Sequence, residues 1–234
     1  MKNAFTLAEV LITLGIIGVA AAMTMPSLIA EHKEKSTIAR LKKVYSVLDN
    51  AYMLARNENM DVSSWFGEDN TKVNSKIFFN NIKPYLKIIK DCGFEEGCLT
   101  DGSVKTLDRR DYNEYNKNRQ EYRFVLADGT QVMIMLNIYD NSDINNFGNI
   151  KVDIDGYRGD YTFGKDVFIF DIKTTGIYPA GMKDDPNYQF KDFCNKSKST
   201  DANGRACTAW VIFNENMDYL HCNDLDWSTK IKCK

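Results

Sequence analysis

Residues 1–30 read MKNAFTLAEVLITLGIIGVAAAMTMPSLIA, and this stretch decides the plan of the chain. A short polar leader carrying Lys2 is followed by Phe5 and by one acid, Glu9, after which no charge occurs from Val10 to Ala30. At 1.5 Å per helical residue these 21 positions reach about 31 Å, the thickness of a hydrocarbon core. A carboxylate inside such a helix is costly, about 2.5–3.5 kcal/mol for an Asp at the helix centre on insertion scales, so Glu9 is a candidate functional group that requires a partner. The competing reading is a cleaved secretory signal with Ala20-Ala21-Ala22 as its small-residue site. Glu9 within the apolar region and the further apolar residues Met23, Met25, Leu28 and Ile29 speak against it.

Immediately beyond, Ile38, Leu41, Tyr45, Leu48, Tyr52 and Ala55 recur at steps of three and four, one face of a helix. Val44, Val47, Ala51 and Leu54 widen that stripe, and the charged residues between Glu31 and Lys43 supply the opposite face. A helix from about Phe5 to about Glu58 would be near 80 Å long. Its first half calls for lipid or neighbouring copies, and its second for a domain packed on one side. Pro26 lacks an amide donor and is expected to loosen the helix, while Gly15 and Gly18 permit close helix approach.

The run Ala4-Phe5-Thr6-Leu7-Ala8-Glu9-Val10-Leu11-Ile12 resembles the processing site of type IV pilins and of the pseudopilins of type II secretion and competence systems. The resemblance covers about residues 1–58, with the remainder alike only in general plan. It implies cleavage between Ala4 and Phe5 by a prepilin peptidase, methylation of the new Phe5 amine by a methyltransferase, and use of Glu9 in assembly with other pilin-like subunits and an inner-membrane assembly machinery. Ala4 stands where the family usually has Gly. In a bundle of such helices the Glu9 carboxylate can pair with the Phe5 amine of an incoming neighbour and set its register. The simpler role is an acid favoured by the positive end of its own helix. Basic residues lie mostly after the apolar run, against the positive-inside rule, and the processing motif sets the orientation instead.

The six cysteines, Cys92, Cys98, Cys194, Cys207, Cys222 and Cys233, all follow the apolar helix, as expected of disulfides in an exported domain. Fifteen pairings are possible. Spacing favours the sequential ones, Cys92 with Cys98, Cys194 with Cys207, and Cys222 with Cys233. Zinc bound by His221 and nearby cysteines lacks paired CxxC spacing. A net charge of −2 offers no general attraction to nucleic acid or acidic lipid, so nucleic-acid binding is not inferred.

The expected organisation is a leader at 1–4, a long helix at 5–58 whose membrane half covers about 7–30, and one globular head at 59–234. In the head, the pattern from Ser75 suggests a short helix ending near Pro84, and Thr100 to Glu121 reads as an exposed polar connection. Tyr122 to Ala127 and Thr130 to Tyr139 flank Asp128-Gly129 as an antiparallel hairpin. Ile150 to Ile154 and Val167 to Ile172 read as further strands. Thr208 to Phe213 is open between a buried strand and a short helix, and Met182 to Ala206 reads as a polar surface segment with a turn at Asn203-Gly204. The fold class is therefore α+β, a long N-terminal membrane-spanning helix packed on a globular antiparallel-sheet head.

The segment from Val152 to Gly159, continuing through Phe163-Gly164-Lys165-Asp166-Val167-Phe168, resembles one found in many pilin-like heads, with Gly159-Asp160-Tyr161 in place of the usual Gly-Pro-Asn. Some pseudopilin heads bind calcium, which makes Asp153 and Asp155 calcium candidates. An EF-hand register fails, however, because it places Lys151 and Thr162 at ligand positions, and solvated turn aspartates are the simpler reading. No catalytic motif is present: the chain has no G-x-S-x-G elbow, phosphate-binding loop or HExxH site. The resemblance points to a noncatalytic filament subunit held in the bacterial cytoplasmic membrane. A minor or tip subunit that contacts a surface, substrate or DNA is the alternative, and an exported soluble domain is a third reading.

Overall fold

Helix α1 spans Leu7–Asn59, with helical backbone running through Pro26. The computed structural model describes residues 6–59, 62–66, 70–98, 104–112, 120–136, 146–156 and 161–233. The chain divides into two units, Met1–Thr37 and Ile38–Lys234.

In the first unit, Leu7, Leu11, Ile12, Ile16, Ile17, Leu28 and Ile29 each expose more than half of their surface. The hydroxyls of the same stretch are turned back onto the helix. Thr13 Oγ1 donates to the carbonyls of Glu9 and Val10 at 2.9 and 3.0 Å, Thr24 to that of Ala20 at 3.0 Å, and Ser27 to that of Thr24 at 3.0 Å. Its outward surface is hydrocarbon, with each of these polar groups satisfied internally, as an apolar solvent demands. Among the described residues it is the one helix long and apolar enough to cross a membrane.

In the second unit, the rest of α1 buries Leu41, Val44, Leu48, Ala51, Tyr52 and Ala55 in the main core. The stripe is narrower than the pattern suggests, because Leu54 stays 48% exposed on its edge. Six antiparallel strands lie under it: β1 (Ile88–Gly93), β4 (Tyr122–Leu126), β5 (Gln131–Leu136), β6 (Asn146–Asp153), β7 (Val167–Lys173) and β8 (Gly176–Pro179), in the order β1-β4-β5-β6-β7-β8. The head is α+β. Register places Phe124 opposite Val132, Ile134 opposite Ile150, and Val152 opposite Phe168, so one face of the sheet is apolar. Tyr45 stacks on Phe170 at 5.4 Å, and Tyr52 donates its hydroxyl to the Lys173 carbonyl at 2.6 Å.

Asp128-Gly129 makes the β4–β5 turn. Gly129 has φ +86°, which a side chain would strain, and Asp128 Oδ1 accepts the Thr130 amide at 3.2 Å. The described part of β5 ends at Leu136, and residues 137–139 of the expected strand lie outside the described residues. Helix α2 (Thr71–Ile82) begins at an Asn70 cap whose Oδ1 accepts the amides of Lys72 and Val73, and a 3-10 turn at Lys83–Tyr85 carries Pro84. Phe79 of this helix stacks on Tyr122 at 4.2 Å, and Ser75 Oγ accepts the Leu136 amide at 3.0 Å.

The opposite face of the sheet is also covered, which corrects the reading of 100–121 as an exposed connection over its described residues, 104–112 and 120–121; 100–103 and 113–119 lie outside the described residues. Strands β2 (Val104–Lys105) and β3 (Asp111–Tyr112) pair with each other, and Val104 joins Met133, Phe163, Val167, Ile169 and Ala180 in a second, smaller core. Glu121, at the end of the same segment, is fully buried and binds Lys151 at 2.6 Å. Thr208 to Phe213 resolves as helix within α4 (Cys207–Asn214). The segment 182–206 is less superficial than its composition suggests. It contains the short α3 (Phe190–Phe193), and Asn203 is buried with its amide donating to the carbonyls of Asn195 and Lys198.

Both edges of the six-stranded sheet carry features that hinder further pairing. Asp49 of α1 accepts the outward Ile177 amide of β8 at 3.1 Å, and Pro179, two residues on and facing the same way, has no amide hydrogen. At the other edge, β1 is broken by two register shifts, at Ile88/Lys90 and Asp91/Gly93, and carries the small loop closed by Cys92 and Cys98.

Candidate functional site

Glu9 lies in the first turn of α1 and has a partner in its own chain. Its Oε2 accepts the Thr6 amide and the Thr6 hydroxyl, both at 2.8 Å, and Thr6 Oγ1 in turn accepts the Glu9 amide at 3.3 Å. This reciprocal pair is a capping box, and its signal, a threonine three residues before a glutamate at the head of an apolar run, stands in the sequence as Thr6-Leu7-Ala8-Glu9. The box satisfies the carboxylate and two helix-end donors without a second chain. Ala4 and Phe5, the cleavage and methylation candidates, lie outside the described residues, as does Lys2.

Further along the same unit, a Cβ added at Gly15 or Gly18 would meet nothing within 4 Å. Gly15, Ile16, Val19, Ala20 and Met23 line a shallow apolar notch on that helix surface, where the missing side chain leaves the backbone open to close approach. Glu9 and the Gly15 notch thus lie about two turns apart on a helix whose outward groups are otherwise hydrocarbon.

In the second unit, the basic residues of α1 hold turns of the head. Arg40 reaches Asp155 at 3.0 Å, Lys43 reaches Asp128 at 3.0 Å, and Lys42 pairs with Glu215. This bears directly on the calcium candidates. Asp155 spends Oδ1 on Arg40, and Asp153 spends Oδ1 on the amides of Asp155 and Gly156, both at 3.1 Å. Gly156, at φ +58°, is packed so closely that an added Cβ would lie 2.8 Å from the Gly129 carbonyl. Among the described residues no group of three or more His, Cys, Asp or Glu side chains that could hold a metal ion is present, and the Oδ1 atoms of both candidates are engaged within the protein. Residues 157–160 of the resembling segment lie outside the described residues. Burial, reinforced by the neighbouring carboxylates of Asp166 and Asp155, outweighs the two amide hydrogen bonds and pushes the Asp153 carboxyl up to about 7.

The disulfides are Cys92–Cys98, Cys194–Cys207 and Cys222–Cys233, with Cα separations of 5.9, 5.0 and 5.9 Å. These are the sequential pairs. His221 is exposed on the tail beside Cys222, and His32 is exposed on α1.

Two buried ion pairs have no counterpart in the sequence reading. Lys151 and Glu121 meet on the outer face of the sheet, and Arg205 binds Asp171 at 3.0 Å while its guanidinium lies 4.0 Å over the Tyr188 ring. Their partners are 30 or more residues apart, so no local spacing announces them.

No curated protein and no solved structure matches the chain. One family model does, over residues 27–193, and its description is a family of unknown function, DUF6613. The match begins near Pro26, spans most of the chain including the sheet, and leaves out Glu9 and the Gly15 notch. By that match, the chain belongs to the family of unknown function DUF6613.

Proposed function

We propose that the protein is a noncatalytic, membrane-stored filament subunit of the type IV pilin or pseudopilin kind. The observation that carries this reading is the outward hydrocarbon surface of residues 7–30, interrupted near its start by a single carboxylate. A hydrocarbon surface of that length is stable in lipid or against copies of itself, and the Gly15 notch suits the second. The head stays outside the cytoplasm with its disulfides, and the chain crosses the inner membrane once. On this reading the capping box is the storage arrangement of Glu9. Assembly exchanges its bonds with Thr6 for the Phe5 amine of a neighbour, so the carboxylate is never left without a donor. The partners are other pilin-like subunits, the prepilin peptidase and methyltransferase, and an assembly machinery whose driving ATPase is a separate protein.

Intact-mass and N-terminal peptide analysis of the protein purified from its native membrane tests the proposal. A mature chain beginning at methylated Phe5 is the expected result. A start near Met23 means signal-peptide removal and sinks it, leaving an exported disulfide-bonded domain.

A further inference from the structure

On the face of the sheet opposite α1, a cleft of about 670 Å³ opens at the β7–β8 end, within the range of about 300–1,000 Å³ usual for ligand sites. Asp171 and Lys173 reach it because they alternate along β7 with Phe170 and Ile172, which face the main core. Its walls are set in advance. Behind one, Arg205 is held between the Asp171 carboxylate and the Tyr188 ring, and the segment bearing Arg205 is closed by Cys194–Cys207. The facing loop is fixed by Asp185, whose Oδ1 accepts the amides of Asn187 and Tyr188, both at 2.9 Å. At the mouth, the Tyr178 hydroxyl is hydrogen-bonded to Thr175 at 3.0 Å.

The lining excludes several ligand classes. Of the lining charges, Asp171 is paired with Arg205, and Asp184 and Asp185 balance Lys173 and Lys183, so an anion finds no net positive charge. Asp171 is already neutralised by Arg205, which leaves no concentrated negative charge for a polycation. An extended peptide cannot add to β8, because the Ile177 amide is taken by Asp49 and Pro179 has none. With the Tyr188 ring taken by Arg205, what remains is the Tyr178 ring, whose one face carries Lys173 Nζ 5.7 Å from the centroid, beside side-chain amides and hydroxyls that both donate and accept.

We infer that this cleft binds a neutral, polyhydroxylated ligand, a short oligosaccharide, with a sugar ring against Tyr178 and hydroxyls bonded to Asn187 and Asp184. The inference concerns the head alone and is independent of whether the chain assembles into a filament.

The test uses the full-length protein in a zwitterionic detergent without a sugar headgroup, with maltotriose, cellotriose and triacetylchitotriose as probes at millimolar concentration in saturation-transfer NMR. At least one sugar should receive saturation. Tyr178→Ala and Asn187→Ala should each weaken its binding by about tenfold or more, while Lys76→Ala on α2 leaves it unchanged. Mass analysis of the three disulfides reports the fold of each variant. Asn187 is exposed and its backbone amide survives the substitution, so that variant decides the matter if Tyr178→Ala misfolds. No transfer to any of the three sugars overturns the inference. So does binding indifferent to both cleft variants, and so does preferential occupancy by trilysine.

Discussion

Replacing Asp153 with asparagine should make the protein more stable than the wild type, and increasingly so as the pH rises. The buried carboxyl titrates near 7 in the folded chain, against about 3.9 for an exposed aspartate. Between those values the folded state holds a proton that the unfolded state has released. Folding is therefore favoured by low pH, and the contribution of this group is lost as pH rises toward 7. One pH unit corresponds to about 1.4 kcal/mol, so the wild type loses about 3 kcal/mol through Asp153 between pH 4.5 and 7. Asparagine does not titrate and keeps the Oδ1 acceptor for the amides of Asp155 and Gly156. In a chain of this size, 3 kcal/mol corresponds to a melting-midpoint difference of about 6–12 °C. Circular-dichroism melts of both full-length proteins in the same detergent, disulfides intact, at pH 4.5, 6 and 7.5 measure it. A difference between the two midpoints that does not change with pH would falsify the assignment of a raised, buried carboxyl.

Glu9→Ala should leave membrane insertion and the three disulfides intact while cutting chemically crosslinked oligomers in the membrane by about tenfold, equivalent to ~1.4 kcal/mol; unchanged crosslinking would confine Glu9 to its capping box. Asn70→Ala removes the acceptor for the amides of Lys72 and Val73, and urea unfolding should show a loss of about 1 kcal/mol. Asp49→Ala strands the Ile177 amide at an open edge. Stability should fall by about 1–3 kcal/mol, and light scattering should rise with protein concentration; a clear solution at unchanged stability would show that water replaces the carboxylate without cost.

Much of the fold was legible where one physical cause acts locally. The three-and-four spacing from Ile38 to Ala55 marks the buried face of α1 because helical geometry alone brings those side chains together. Asp128-Gly129 marks its hairpin because few residues tolerate the backbone angles. What stayed hidden depends on distance. Val104 is a single apolar residue in a polar run, and only the second core around Met133 and Ile169 explains its burial. The bulged edge strand β1 has no clean alternation, since Lys90 and Asp91 are adjacent and both exposed. Glu121 and Lys151 become a pair only after β4 and β5, which separate them in sequence, have paired with β6. At Glu9 the signal is present and local, since Thr6 stands three residues before it at the head of the helix. Asp153 and Asp155 were readable as turn aspartates but not as solvated ones: Asp153 is fully buried and Asp155 is held by Arg40, and the titration of Asp153 follows from that burial, which spacing does not encode.

The guarded margins of the sheet have a consequence for copies of the chain that lie side by side. Chains anchored in a plane face the same way at high local density, the circumstance in which an unprotected strand recruits its twin and grows a ribbon without limit. Here the long helix itself supplies the stopper, because the residue that quiets the last strand is Asp49 of α1. A head whose helix has not yet docked therefore exposes that strand, and a correctly docked one does not. Folding thus doubles as a licence for crowding: at its last strand a docked head offers neither the Ile177 amide nor an amide at Pro179, which turns ordered association between copies away from that strand.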